Sequence, residues 1–387
     1  MKRQNNRTGL VLNILLSVFL QAAYHLVLLV IDILLLWGIV KRPPTSIIRY
    51  LNLSEQILLA APLFAFALSW FYLGKTDNNL AVHGLAWHGS FFLSASAVLM
   101  SRQTVNNKRR RIVPMCLFLF ALIYFATAFD ALVYEPTALQ IKHLTFHSDK
   151  ITEPVKIVFL ADIQTNKAGW YERKALRMVR EQNADLILFG GDYIQGDEPS
   201  EEESIIASLN EILQEASLQA PLGVFAVVGN HESGFATQQI FKGTSVQVKE
   251  RTSSMDIGEL RLTFLSLGGS VAVRTHHDYY QDNRLRIMVG HTPLYAMAPQ
   301  DADLLLAGHT HGGQVQIPFY GPPITHSRNL PRRWASGVTK MANGALLLVS
   351  NGVGMERGTA PQVRFCCRPD FWVIELLPEK NACPDSG

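Results

Sequence analysis

The chain has 387 residues, enough for two or three domains, with 48% hydrophobic residues and a formal net charge of +3. Up to Glu135 it carries 12 Lys/Arg and 5 Asp/Glu, a net +7, whereas the remainder carries 23 and 27, a net −4. The basic excess belongs to the N-terminal third and no basic, aromatic-interleaved patch stands out beyond it, so nucleic-acid binding is not expected.

Apolar stretches long enough to cross hydrocarbon recur in that first third, near residues 9–40, 56–73, 80–100 and 112–134. The first is too long for a simple signal peptide and lacks a small-residue cleavage site. It reads as one long helix or a tight pair around Gln21 to His25. An all-α multi-pass membrane region of four or five helices is therefore predicted over residues 1–135. One inter-span loop holds Lys41, Arg42 and Arg49, and another holds Arg102 and Lys108 to Arg111, while the loop between them holds Lys75. The positive-inside rule puts the two basic loops in the cytoplasm and the C-terminal domain on the other side of the cell membrane. The rival reading makes the arginine cluster a surface-binding patch and the domain cytoplasmic. Asp32 and Asp130 fall within apolar runs, where an acid is either functional or structurally paired. His25, His83 and His88 read as interfacial or packing residues.

Residues 136–150 read as a linker. From Val155 the pattern changes to short apolar strands: "VKIVFLAD", "DLILFGGD", "GVFAVVGNHE", "LRIMVGH" and "ADLLLAGHTHGG". Helical spacing predicts helices over 170–184 and, with an acidic first turn, 198–216. Alternating strands and helices indicate a layered α/β domain over 151–378, β-rich across 244–290. Residues 379–387 read as a disordered tail. Four cysteines make no disulfide framework; Cys116 lies in an apolar run, and one pair among Cys366, Cys367 and Cys383 could oxidise outside the cytoplasm.

Five strands each release metal-type donors at their C-terminal ends: Asp162, Asp192, Asn230, His291, then His309 with His311. Ligands converge at strand ends in open α/β sheets. Oxygen and imidazole donors without thiolates suit Mn, Fe, Zn, Ni or Mg rather than a structural zinc knuckle. A strand ending in Gly-Asp is mostly a turn, but an Asn-His pair and two imidazoles on one turn are rarer. Their joint occurrence in this order points to a metal site. His276-His277, beside Tyr279 and Tyr280, reads as a surface loop.

The blocks "ADIQ", "GGDY", "GNHE", "VGHTP" and "AGHTHGGQ" resemble the D-x-H, G-D, G-N-H-E/D, H, G-H-x-H pattern of the calcineurin-like metallophosphoesterase superfamily. The tail from "GHTHGGQVQIP" to "LLLVSNGVGM" is similar to its bacterial membrane-anchored, phosphodiesterase-like branch. The resemblance covers about residues 150–378. It implies a two-sheet αββα sandwich and two divalent metal ions, Mn, Fe, Zn or Mg. It also implies roles: Asp162 and His311 on the first metal, Asp192 bridging, Asn230, His291 and His309 on the second. His231 would be the catalytic imidazole. Two cations about 4 Å apart would share a hydroxide that attacks phosphorus in line. Glu232 orients His231 or caps the following segment.

There are two departures. The stretch from His231 to His291 looks short, so the substrate-covering loops are expected to be reduced. The family's first-block histidine is also replaced by Gln164. Gln164 either ligates through its amide oxygen, holds a metal-bound water, or marks a crippled first site; as a ligand it favours Mn or Mg over Zn. The resemblance implies hydrolysis of phosphodiester or pyrophosphate bonds. Tethering to membrane lipids points to a lipid-linked or envelope phosphoester substrate. The alternatives are a UDP-diacylglucosamine pyrophosphatase-like enzyme of lipid A synthesis and a non-catalytic metal-binding sensor or scaffold. The sequence identifies no protein partner.

Overall fold

A computed structural model describes residues 30–34, 37, 77–103, 112–196, 201–276, 282–325, 327, 329–357 and 360–379. The chain divides into two compact units, Met1–Val133 with Gly358–Gln362, and Tyr134–Arg357 with Val363–Gly387.

In the first unit, helix α1 (Asp77–Gln103) runs beside α2 (Ile112–Phe129). Trp87 of α1 is buried against Phe125 of α2, with ring centroids 5.8 Å apart. Gly89 lets Tyr124 approach, because a Cβ there would lie 2.9 Å from the Tyr124 hydroxyl. The helical register continues through a π-turn, Asp130–Tyr134. Among the described residues, Ile112–Thr137 is the one helix long and apolar enough to cross a membrane. The stretch expected to span at 80–100 does form a helix, but it does not meet that standard. Histidine, serine and glycine dilute its apolar content, and Ser90 and Ser94 turn their hydroxyls back onto the carbonyls of Ala86 and Ser90. The expected spans near 9–40 and 56–73 lie outside the described residues, apart from 30–34 and 37, which are helical. Four or five spans are therefore not established. Asp32 is buried and paired with His88, matching the structural-pairing reading of that acid.

The second unit contains two six-stranded sheets. The first runs in the order β1 (Gln140–Ser148), β12 (Asp370–Pro378), β2 (Val155–Leu160), β3 (Leu186–Phe189), β4 (Val224–Val227) and β5 (Val246–Lys249). The second runs β10 (Gly337–Lys340), β11 (Leu346–Val349), β9 (Leu304–Ala307), β8 (Leu285–Val289), β7 (Leu260–Phe264) and β6 (Ser253–Ile257). Both are mixed: β2 to β5 are parallel, as are β7, β8, β9 and β11. Residues 140–148, inside the segment read as a linker, instead form β1, parallel to β12. Alternating residues such as Leu144 and Phe146 pack against the core, which commits that stretch to the sheet.

The inner strands β3, β4, β9 and β11 are apolar throughout because both faces are covered. On β2, Val158 and Leu160 face the helices, while Ile157 and Phe159 face the other sheet. On β9, Leu304 and Leu306 point between the sheets, and Leu305 and Ala307 point outward. This two-residue period divides one apolar run between two cores. Helices α3 (Trp170–Arg180), α4 (Glu202–Ala216) and α5 (Gly234–Ile240) cover the first sheet. They bury stripes at helical spacing, Ala175, Leu176 and Val179 in α3 and Ile205, Leu209, Ile212 and Leu213 in α4. The cover on the second sheet is slighter than an αββα sandwich implies. Among the described residues it consists of single turns at Pro293–Met297 and Arg332–Trp334 and the five-residue α6 (Leu267–Val271).

Candidate metal centre

The loops after β2, β3, β4, β8 and β9 are bonded into one cluster. Asp162 N–H donates to Gly191 O at 2.9 Å, and Gln164 N–H to Asp192 O at 2.9 Å. Gly308 N–H donates to His291 O at 2.9 Å. Asp192 Oδ1 accepts the backbone N–H groups of Asn230 at 2.6 Å and His231 at 3.0 Å. Asp162 accepts His309 N–H on both oxygens, at 3.0 and 2.9 Å. Asp162, Gln164, Asp192, His309 and His311 all have positive φ. Such left-handed conformations cost about 1–3 kcal/mol in a non-glycine residue and gather at functional sites. Neighbouring glycines make the close approach possible: a Cβ on Gly229 would sit 2.1 Å from Asp192 Oδ1, and one on Gly308 2.5 Å from Asp162 Oδ2.

The residues expected on a second metal converge. His291 is fully buried and directs Nδ1 at Gly190 O, 2.9 Å away. A donated Nδ1–H fixes the tautomer and turns Nε2 inward as a donor for a cation. Nε2 lies 2.9 Å from Asn230 Oδ1 and 3.2 Å from Asp192 Oδ2. His309 joins Asp192 and His291, with ligand atoms from all three within 4.8 Å of one another. Asp162 borders this group, its Oδ1 3.9 Å from His291 Nδ1. His311 is buried and lies outside the tight cluster. It shares with Asp162 the hollow over Gly352, where a Cβ would be 2.7 Å from Asp162 Cβ and 3.2 Å from His311 Nδ1.

Gln164 is fully buried, and its Nε2 donates to Gln195 Oε1 at 2.8 Å and Glu356 Oε2 at 3.0 Å. Its Oε1 is buried without a hydrogen-bond partner. His231 directs Nε2 at Glu356 Oε2, 3.1 Å away, with Asp192 Oδ2 at 3.8 Å. Glu232 performs neither role expected of it. Its carboxylate accepts backbone N–H from Gly229, Asp192 and Tyr193 at 2.9, 3.1 and 2.9 Å, tying the β3 and β4 loops together.

The electrostatics suit cations. Burial, with Asp192 adding to it, pushes the Asp162 carboxyl up to about 8. Burial likewise pushes Glu232 up to about 7. Burial opposes charge on His291, but the carboxylates of Asp192 and Asp162 drive it up to about 10. For Asp192, burial is outweighed by His291 and His231, which hold its carboxyl well below the usual range. Acids and bases forced together in this way, with an orphaned amide oxygen beside them and donors limited to O and N, form a fitting cradle for divalent metals.

Sequence reasoning missed Gln195, Glu356 and Arg357. Gln195 comes to Gln164 because Thr165 and Ile194 pair in a short parallel bridge. Glu356 follows β11 on a loop held by the buried Arg364, which donates to the carbonyls of Asn351 and Cys367 at 2.8 Å and also to that of Gly354. The signal available was "VSNGVGMER", another strand end rich in glycine. His276 bonds to Gln300 Oε1 and Gly269 O, away from the cluster. His277 lies outside the described residues, as does Cys383; Cys367 is a buried free thiol.

Residues 155–313 match the family model for calcineurin-like phosphoesterase. Phosphodiesterase YaeI of Escherichia coli is 27% identical over 250 residues, covering 61% of this chain and 87% of its own. The uncharacterized metallophosphoesterase YkuE of Bacillus subtilis is 27% identical over 261 residues, covering 62% and 87%. UDP-2,3-diacylglucosamine pyrophosphatase LpxG of Chlamydia trachomatis is 20% identical over 315 residues, covering 63% and 91%. Calcineurin-like phosphoesterases use divalent metals, and the strand-end donors fall inside or beside the matched segment. Residues 155–313 thus form a calcineurin-like phosphoesterase domain, in keeping with the metallophosphoesterase superfamily of these relatives.

Proposed function

We propose that this chain is a membrane-anchored phosphodiesterase of the superfamily's bacterial branch, working with two divalent metal ions on a lipid-linked or envelope phosphoester. The observation that carries the reading is the meeting of His291 Nε2, Asp192 Oδ2 and Asn230 Oδ1 within about 3 Å, beside His309. Asp162, Gln164 and His311 would hold the first metal, Asp192 would bridge, and Asn230, His291 and His309 would hold the second. Such ions supply Lewis acidity for the phosphoryl oxygens and lower the pKa of a bound water.

The chain's own residues do the rest. Asp192 is fixed by two backbone N–H groups, so its free oxygen is preorganised. His231 is partly buried, which works against its charge, but Glu356 and Asp192 raise its pKa. Its Nε2 faces the acceptor-only Glu356 carboxylate, so that nitrogen carries the hydrogen it donates to the departing oxygen. That oxygen must compete with Glu356 for the proton. The Glu356 carboxylate also repels a monoester dianion more than a diester monoanion, which favours diesters. YaeI is named a phosphodiesterase, and LpxG is named for pyrophosphate cleavage in a UDP-linked lipid; both names support this substrate class. The apolar helix Ile112–Thr137 and the basic loops support anchoring with the domain extracytoplasmic.

The test is hydrolysis of a chromogenic phosphodiester by the full-length chain in detergent, with Mn or Mg. Turnover is expected with diester above monoester. His231→Ala should lower kcat about 10²–10⁴-fold, and Asp192→Ala should abolish activity. Metal bound without turnover on any phosphoester would replace this reading with the non-catalytic sensor. A reporter fused after Glu379 reads the membrane side, and cytoplasmic activity would refute the extracytoplasmic placement.

A further inference from the structure

We propose that Glu356 is a positioning residue of the first metal site: it turns the Gln164 amide so that the carbonyl oxygen meets the cation, and through its own Oε2 it also holds His231. The inference rests on the metal-binding reading above. An ionised carboxylate only accepts hydrogen bonds. Glu356 Oε2 faces Gln164 Nε2 at 3.0 Å and His231 Nε2 at 3.1 Å, and Oε1 faces Gln195 Nε2 at 2.8 Å. Every group it meets must therefore present an N–H.

That requirement sets both amides. Gln195 turns its NH₂ to Glu356, which leaves its Oε1 to accept Gln164 Nε2 at 2.8 Å and the Arg357 backbone N–H at 2.8 Å. With acceptors on two sides, the Gln164 NH₂ has no other place to go. Flipping this amide would set its oxygen against two oxygens. Oε1 is thus driven to the remaining side, where it is buried and meets no protein donor. An orphaned buried acceptor costs about 1–3 kcal/mol, and a cation removes that cost. Arg357 Nε donates to the Gln164 backbone carbonyl at 3.0 Å, so main chain and side chain are clamped together.

The device answers a specific problem. An imidazole at position 164 presents a nitrogen lone pair whose direction follows from the ring. An amide has two ends of nearly the same shape and opposite hydrogen-bonding sense, so it must be told which way to face. Glu356 gives that instruction and, through the same oxygen, couples it to His231.

The experiment is a double-substitution cycle in Mn²⁺ binding, using the full-length chain in detergent. Calorimetry reads affinity and stoichiometry, and electron paramagnetic resonance reads the signal of paired Mn²⁺ ions. Glu356→Ala should weaken one of two Mn²⁺ sites about 10–100-fold and diminish the paired-ion signal, leaving the other site unchanged. Adding Gln164→His to Glu356→Ala should restore the weakened site, because an imidazole needs no such orientation. Unchanged Mn²⁺ affinity in Glu356→Ala would overturn the proposal, and so would a loss that Gln164→His does not relieve. If Glu356→Ala fails to fold, the same-sized Glu356→Gln decides. It sets an NH₂ against a donor, so a weakened site is expected, and wild-type affinity overturns the proposal. A wild-type chain that binds no Mn²⁺ would overturn the metal-site reading itself. Two sites in both wild type and Glu356→Ala, equally tight, would overturn the positioning role alone.

Discussion

Gly229 stands where the β3 and β4 loops touch, and there the site tolerates no side-chain carbon. A Cβ would lie 2.1 Å from both the backbone N and Oδ1 of Asp192. Gly229→Ala must therefore push Asp192 out of reach of the Asn230 and His231 N–H groups that fix it. The expected outcome is a loss of about 2 kcal/mol or more in denaturant unfolding, together with loss of Mn²⁺ binding. Wild-type metal affinity in a folded Gly229→Ala chain would show that the loops can part without consequence. Asp162, Asp192, His231, His291 and His309 could be named from the chain because each follows an apolar run, the last four directly after a glycine or another donor. Glu356 could not, since nothing local distinguishes it from a solvated acid after a turn. Its meaning comes from Gln164 and His231, 192 and 125 positions away in sequence.

Elements explain why these residues stay in place. The loop from Asn351 to Gly354 runs under the β2 strand end: Val353 N–H donates to Ala161 O at 3.0 Å and Gly354 N–H to Asp162 O at 2.6 Å. Arg364 staples that loop from below, wholly buried, satisfying carbonyls of Asn351, Gly354 and Cys367. Arg364→Ala would leave those carbonyls buried and unpaired. It should cost about 3 kcal/mol or more by chemical denaturation, and should weaken Mn²⁺ binding through Glu356. The segment 136–150 makes the complementary point. Its sequence alternates weakly, so it read as a linker, yet β12 supplies a parallel partner along nine residues from Gln140 to Ser148. Glu135, just before it, is buried and accepts N–H groups of Cys366 and Cys367. An edge strand whose partner lies over 200 residues downstream leaves little local trace.

At the scale of the whole molecule, folding places buried acids and a buried base together at the junction of two sheets. Without metal, Asp162 titrates near 8, Glu232 near 7 and His291 near 10, each above its ordinary value. The folded form then binds more protons than the unfolded chain between the usual carboxylate range and about pH 8. Stability of the metal-free protein should therefore fall as pH rises through that window. Divalent metal bound by Asp162 and His291 would require both deprotonated, so its stabilisation should grow as pH rises, at about 2.7 kcal/mol when free metal is 100-fold above Kd. Thermal unfolding with chelator and with Mn²⁺, at about pH 5.5 and about pH 8, checks both signs. A chelator-treated protein that is more stable at the higher pH would refute the account.

The sequence alone determined what each strand end could offer. Apolar runs bounded by Gly, Asp, Asn and His are local patterns, and so are the helical stripes of α3 and α4, since both are set by neighbours within a few residues. These patterns were enough to indicate a layered α/β domain with a metal-type site at its strand ends. The tertiary structure decided what could not be local: which strands lie side by side, and that β1 belongs to the sheet. It also decided that Gln164 faces a carboxylate 192 positions further along the chain. Hydrogen-bond direction is the physical reason. An amide's donor and acceptor ends are told apart by the partner that folding brings to them, and here that partner is Glu356.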